Sequence, residues 1–298
     1  MDAPQLAQPT DALLKRLFER DGAVPLSFEL FPPRTEARRL TLHETVDRLA
    51  PVAEDGFSVT MGAGGTTRTG THDTAVEVAG RSGRAVTAHV TALGLTEAQV
   101  LDAAEGLWAA GITRILALRG DRPRAAAGPL PPGFAHAADM VAALAARHPF
   151  EISVAAYPEK HPEAETLSTD IDHLKEKLDA GASRAYCQFV LDPAAYGRFR
   201  DACAGRGIDA PIIPGLMPLQ GWTRLRGFAR ANEASIPGWL DQLLARGEET
   251  PELMPYIAAA ATLEQARRLI AYGAPALHVY CMNRWPLPLA LARMLGHR

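Results

Sequence analysis

Cysteine is scarce, with only Cys187, Cys203 and Cys281 in 298 residues. Three scattered thiols cannot build a disulfide framework, and none forms the Cys-x-x-Cys pair of a zinc site or a dithiol redox centre. No apolar run approaches the roughly 20 residues that span a bilayer. The N-terminus carries Asp2, Asp11, Lys15 and Arg16 instead of the apolar stretch of a signal peptide. The formal charge is −3 and basic residues never cluster, so nucleic acid is not an expected partner. The nine histidines are dispersed, with no His-x-His or His-Glu-x-x-His pattern, and no metal site is expected. These absences point to a reduced, cytoplasmic setting with no membrane attachment.

What is present is a repeating unit. Apolar residues make up 47% of the chain, enough for a sizeable core. From Val24 onward a short apolar or β-branched run is followed by a polar turn and a helix-period segment that closes on glycine. The runs are Val24–Phe31, Phe57–Gly62, Ala85–Ala92, Arg114–Arg119, Ile152–Pro158, Arg184–Leu191, Pro211–Met217 and Leu277–Met282. Their near-continuous apolar character predicts strands buried on both faces. Gly56, Gly111, Gly181, Gly207 and Gly273 each fall where a helix should end in a left-handed residue. Glu97–Ala109 is amphipathic through Val100, Leu101, Ala104, Leu107 and Trp108. Asp170–Ala180 sets Ile171, Leu174 and Leu178 against lysines expected to be exposed.

Eight β-then-α units at about 30-residue spacing predict one (β/α)₈ TIM barrel over 1–298, and the doubly wound open sheet is the alternative. Extra helices are expected in Pro218–Thr262, between strands seven and eight. Residues 1–22 are expected to form a leading extension, helical over Ala12–Arg20. The Arg122–Gly133 loop is rich in Ala and Pro.

Barrel enzymes place their chemistry at the C-terminal ends of strands. There lie Glu29, Thr60, His89, Arg119, Asp121, Tyr157, Glu159, Gln188, Asn283 and Arg284. Glu29, within Ser27–Pro33, is flanked by Phe28, Leu30 and Phe31. Burial there disfavours the charged carboxylate, which prepares a general acid; a structural ion pair with an arginine inside the barrel is the other reading. Arg119-Gly120-Asp121 puts two opposite charges around a glycine that lets a ligand approach the backbone; a surface turn with an ion pair would look the same. Gly62–Arg68 resembles a phosphate cradle but matches neither glycine fingerprint, so it reads as a βα loop. His136 and His148 read as surface residues.

Taken in order, Ser27–Arg34 (SFELFPPR), Val59–Arg68 (VTMGAGGTTR), Ala117–Asp121 (ALRGD), Val154–Ala164 (VAAYPEKHPEA), Leu174–Ala182 (LKEKLDAGA), Ile212–Pro218 (IIPGLMP) and Tyr280–Arg284 (YCMNR) resemble the methylenetetrahydrofolate reductase family. The resemblance covers about residues 24–296, the family's catalytic domain, without the C-terminal regulatory region that eukaryotic members add. It implies a barrel holding FAD that reduces 5,10-methylenetetrahydrofolate to 5-methyltetrahydrofolate with electrons from NADH or NADPH. Nicotinamide and folate would use one site in turn, within one-carbon metabolism and methionine biosynthesis. A homodimer or homotetramer is implied as well.

By the same resemblance, Glu29 matches the general acid that protonates N5 or N10 of folate. Asp121 matches the carboxylate between flavin and folate. Gln188 matches the pterin ligand, Phe228 the aromatic that packs on nicotinamide or folate, and Arg284 a substrate-side cation. Thr60, His89, Arg119, Gly120, Asp121, Tyr157, His161, Asp170 and Lys177 match FAD-binding positions. His136 stands near a family Tyr that touches FAD, and His173 where Asn often contacts it. Met61 replaces a Tyr, Val90-Thr91-Ala92 replaces Leu-Thr-Cys, Cys187 replaces a Thr, and Val190-Leu191 replace aromatics. These exchanges alter hydrogen bonding around the cofactor. Two other functions fit the barrel: a lyase or folate-linked one-carbon transferase without a redox step, and a non-catalytic binding subunit. Joint retention of His161, Asp170 and Lys177 favours the flavoenzyme.

Overall fold

The computed structural model describes residues 24–61, 68–120 and 133–298. The expected leading helix, the 62–67 loop, Asp121 and most of the Ala/Pro-rich loop lie outside the described residues.

Eight parallel strands close into a barrel in sequential order: β1 (Leu26–Leu30), β2 (Gly56–Val59), β3 (Val86–Thr91), β4 (Arg114–Leu118), β5 (Glu151–Ala156), β6 (Arg184–Phe189), β7 (Ile212–Leu216) and β8 (Leu277–Val279). The closing pair aligns Ser27 of β1 with His278 of β8. Closure rules out the open sheet. The helices of the described residues are α1 (Glu36–Leu49), α2 (Arg68–Ser82), α3 (Glu97–Ala109), α4 (Ala137–Ala145), α5 (Leu167–Asp179), α6 (Pro193–Ala204), α7 (Trp222–Ala231), α8 (Gly238–Glu248), α9 (Met254–Ala271) and α10 (Pro286–Met294).

Local chemistry explains many of the boundaries. Thr96 and Gln99 form a reciprocal capping box at the start of α3, and the Asp192 side chain accepts from the Ala194 N–H ahead of Pro193 in α6. The five glycines expected at helix ends all have positive φ. Strand β8 is shorter than the run Leu277–Met282 suggests. Met282 and Asn283 turn into the left-handed region, with φ of 54° and 52°, and take the chain out of the sheet.

The main core lies between the strands and the helices, where Leu26, Phe28 and Leu30 pack outward against Leu42, Val46 and Leu49. The expected near-continuous apolar character of the strands is broken on the inner wall. Ser27, Glu29, Ser58, Thr87, His89, Ser153 and His278 are all buried, whereas Leu116, Tyr186, Ile213 and Ala276 form a small apolar cluster of their own. The expected extra helices are α7, α8 and α9. They bury Trp222, Leu240, Leu244 and Ala258 in a second core with Phe189 and Leu191, beside the strand ends.

Candidate active site

Strand alternation carries Ser27 and Glu29 to the barrel interior, and closure brings β8 against them from the far end of the chain. Glu29 is buried, and its Oε2 lies 3.7 Å from Nε2 of both His89 and His278. The arginine ion pair considered for Glu29 is not what surrounds it. The barrel's arginines Arg114 and Arg184 instead meet Asp55 and Glu151 at the opposite end.

Two features hold the carboxyl's neighbourhood in place. The Ser27 Oγ lies 2.8 Å from His278 Nδ1, while Nε2 of that ring lies 3.4 Å from Ser58 Oγ. After β8, the Asn283 side chain accepts from the Phe31 N–H and donates to the Phe31 carbonyl, both at 2.9 Å, and the Cys281 thiol donates to the Glu29 carbonyl. The Tyr-Cys-Met-Asn-Arg segment therefore clamps the end of β8 to the end of β1. On β7, Gly215 leaves room for Tyr280, since a Cβ there would lie 2.5 Å from the ring.

Above Glu29 opens a cavity of about 1390 Å³. Thr60, His89, Arg119, Gly120, His136, Tyr157 and His161 line it, as do Asp170, His173, Lys177, Gln188, Phe228 and Arg284. The described strand-end and family-matched candidates other than Glu159 thus converge on one space; Asp121 lies outside the described residues. Glu159 does not join it, and instead accepts from the Ser235 N–H. His148 stacks on Trp108, away from the cavity.

On one wall, Asp170, His173 and Lys177 recur at i, i+3 and i+7 of α5. Lys177 corrects the expectation of exposed lysines: its Nζ donates to the Ala155 carbonyl at 2.7 Å, and burial lowers its pKa to about 8, with Asp170 opposing. Asp170 accepts from the His161 N–H, and the Glu163 N–H donates to His161 Nδ1, which leaves the ring proton on Nε2. Arg119 pairs with Glu163 at 2.6 Å. Burial, then the Arg119 charge, lowers the His161 pKa. Gly120 has φ +88°, open to glycine and strained for other residues.

His89 is buried and its Nε2 has no hydrogen-bond partner. Burial lowers its pKa to about 4 against the opposing pull of Glu29, so the ring is neutral near pH 7. Across the mouth, Phe228 is 48% exposed and stacks on Phe189 with centroids 5.3 Å apart. This apolar shelf suits a planar ligand. Met61 Sδ lies 3.4 Å from the N and Oγ1 of Thr91.

Reasoning from sequence missed His278 and passed over Tyr280 as a wall residue. Their signal was the alternation of His278 and Tyr280 with the apolar Leu277 and Val279, which a period of two sends to one face. Among the described residues no cluster of His, Cys, Asp and Glu could hold a metal, and no helix is long and apolar enough to cross a membrane.

A buried carboxyl under a wide cavity with cationic and aromatic walls, at the C-terminal end of a (β/α)₈ barrel, is the arrangement of a barrel enzyme. The profile of the family "Methylenetetrahydrofolate reductase" matches residues 13–296. The 5,10-methylenetetrahydrofolate reductase of Pectobacterium carotovorum subsp. carotovorum is 37% identical over 98% of this chain and 97% of its own length. That of Escherichia coli K12 is also 37% identical, with the same coverage. A probable methylenetetrahydrofolate reductase (NADH) of Oryza sativa is 32% identical, covering 93% of this chain and 49% of the rice protein. The chain belongs to the methylenetetrahydrofolate reductase family and is an oxidoreductase of folate one-carbon chemistry. A 4-hydroxy-tetrahydrodipicolinate synthase from Methylacidiphilum fumariolicum, 12% identical with a TM-score of 0.51 over 90% of this chain and 71% of that one, shares the fold alone. Family membership sets aside the lyase and the non-redox transferase.

Proposed function

We propose that the chain reduces 5,10-methylenetetrahydrofolate to 5-methyltetrahydrofolate with electrons from NAD(P)H, in two half-reactions that use the one cavity in turn through FAD. The observation that carries this reading is the convergence of the described candidate residues on a single space above Glu29.

The residues present fit FAD. At about 1390 Å³ the cavity exceeds the roughly 300–1,000 Å³ of ordinary small-molecule pockets, which leaves room for a dinucleotide and a second planar ligand. The unpartnered Nε2 of His89 offers a buried polar atom to a ligand, and Arg119 and Lys177 suit a pyrophosphate. Thr60, His89, Arg119, Gly120, Tyr157, His161, Asp170 and Lys177 would hold the cofactor, with Asp121, His136 and His173 beside it. When bound, the flavin supplies the ability to take hydride from a nicotinamide and pass it to an electrophilic carbon.

The chain's own groups do the rest. Glu29 gives a proton to N5 or N10 of folate, opens the imidazolidine ring and creates the iminium carbon that is reduced. Asp121 balances the cationic folate. Gln188 hydrogen-bonds the pterin, Phe228 stacks on whichever planar ligand is present, and Arg284 faces the substrate's anionic part. One cavity with one aromatic shelf accommodates nicotinamide and folate in succession.

The test is optical. Purified protein should be yellow, lose flavin absorbance with NADH or NADPH, and recover it with methylenetetrahydrofolate. Colourless protein that neither takes up FAD nor oxidises NAD(P)H would overturn the reading.

A further inference from the structure

At the base of the cavity, inside the barrel, Glu29 faces ionisable groups from two strands. His89 stands on β3; His278 stands on β8, with Tyr280 and Cys281 just beyond it. Burial raises the pKa of Tyr280 well above the usual phenol range and that of Cys281 to about 12, so both stay neutral near pH 7. His89 is neutral too. When Glu29 releases a proton, the carboxylate left behind is a buried charge among neutral groups, and its cost falls on the transition state of the protonation step.

The imidazole of His278 is built to meet that charge. Its ring is 1% exposed and anchored at Nδ1 by Ser27 Oγ at 2.8 Å. Donation by the Ser27 hydroxyl to Nδ1 leaves the proton on Nε2, which faces two acceptors: Ser58 Oγ at 3.4 Å and Glu29 Oε2 at 3.7 Å. The longer separation lies just outside hydrogen-bonding range, and such contacts tighten when the reacting complex forms. His89 is also 3.7 Å from Oε2, but its buried Nε2 makes no hydrogen bond, whereas Ser27 anchors the His278 ring.

We propose that His278 is a positioning residue of the folate half-reaction, whose Nε2–H turns from Ser58 Oγ to Glu29 Oε2 as the carboxyl proton leaves for folate. One proton moves, from Glu29 to the folate nitrogen; His278 neither gains nor loses one and supplies only a donor. This inference rests on the reading of Glu29 as the acid.

The experiment follows methylenetetrahydrofolate-driven reoxidation of the reduced holoenzyme from pH 5.5 to 9 for wild type, His278→Leu, His278→Gln, Ser27→Ala and Glu29→Gln. His278→Leu should slow reoxidation by about 30-fold or more and move the basic limb of its pH profile upward, because the conjugate base has lost its donor. His278→Gln keeps an N–H donor and should come back to within about fivefold of wild type. Ser27→Ala, a milder change should the leucine variant fold poorly, should cost about three- to tenfold in the same direction. An unchanged rate and profile in both His278→Leu and Ser27→Ala would overturn the proposal, as would a loss that glutamine fails to rescue while the limb stays put. If Glu29→Gln itself reoxidises at the wild-type rate, the acid assignment has failed. If Glu29→Gln is inactive and His278→Leu is normal, only the role of His278 has failed.

Discussion

At the N-terminal end of the barrel, charge is matched to charge. Arg184 donates to both Asp55 oxygens at 3.0 and 3.1 Å, Arg114 reaches Asp55 at 3.3 Å and Glu151 at 2.9 Å, and Arg184 closes the circuit on Glu151. At the C-terminal end, Glu29 has two imidazoles at 3.7 Å and, among the described residues, no arginine or lysine ion pair, and His89 Nε2 has no hydrogen-bond partner there. Both ends hold buried or half-buried ionisable groups, but at the floor each carboxylate meets two arginines, whereas at the mouth Glu29 and His89 have no close partner of that kind. A satisfied network fixes geometry and contributes to stability, while an unsatisfied one stores a preference for a ligand that completes it. The difference separates the end that holds the barrel shut from the end that does chemistry, in keeping with the barrel architecture.

The sharpest way to break this contrast is at the mouth. Glu29→Gln should lower the folate half-reaction by about 10²–10⁴-fold while leaving NAD(P)H-driven bleaching largely intact, as read by stopped-flow absorbance. Equal loss of both half-reactions would deny Glu29 its separate role. At the floor, Asp55→Asn removes one of the two carboxylates that Arg114 and Arg184 share and should cost about 2–3 kcal/mol of stability, seen as a lower denaturant midpoint, with the rate per folded molecule unchanged. A slowed reaction at full stability would erase the division between the two ends.

A third measurement tests the mouth as a source of acid sensitivity. The His89 pKa falls from 6.5 to about 4 on folding, so below pH 6.5 the unfolded chain binds a proton that the folded one refuses. The associated stability is present above pH 6.5 and drains away as the pH falls toward 4, by about 3 kcal/mol in all. His89→Leu should flatten that part of the stability profile in denaturant titrations at successive pH values; an unchanged slope would mean that His89 is not held neutral. The smallest effect is expected from Tyr186→Phe, whose hydroxyl makes a long 3.4 Å contact with Asp55. A loss of about 0.5–1 kcal/mol fits one marginal hydrogen bond, and a much larger one would make the tyrosine a main strut of the floor.

Much of this is legible in the sequence. The strand runs matched because buried β segments are short and apolar, and the helix ends because a left-handed cap selects glycine. Strand-end residues such as Glu29, His89 and Gln188 fell on the cavity because barrel geometry sends strand ends to one face. Lys177 was misread as exposed because its place beside the Ile171–Leu174 stripe says nothing of what packs above it; the Ala155 carbonyl and the cavity wall do. His278 stayed hidden for a different reason: it pairs with Ser27 across 251 residues of sequence, and only the closure of β8 on β1 makes them neighbours.

The sequence by itself determined the eight-unit count and the punctuation of the helices, because those are properties of composition and local period, and its ordered motifs carried the resemblance to the family and the candidate positions of the site. The tertiary structure decided which groups touch. It set Glu29 between two imidazoles, sent the arginines to Asp55, turned Lys177 inward and left His89 Nε2 without a partner. The physical reason is that burial and partnership depend on barrel closure, which joins strands that lie far apart along the chain.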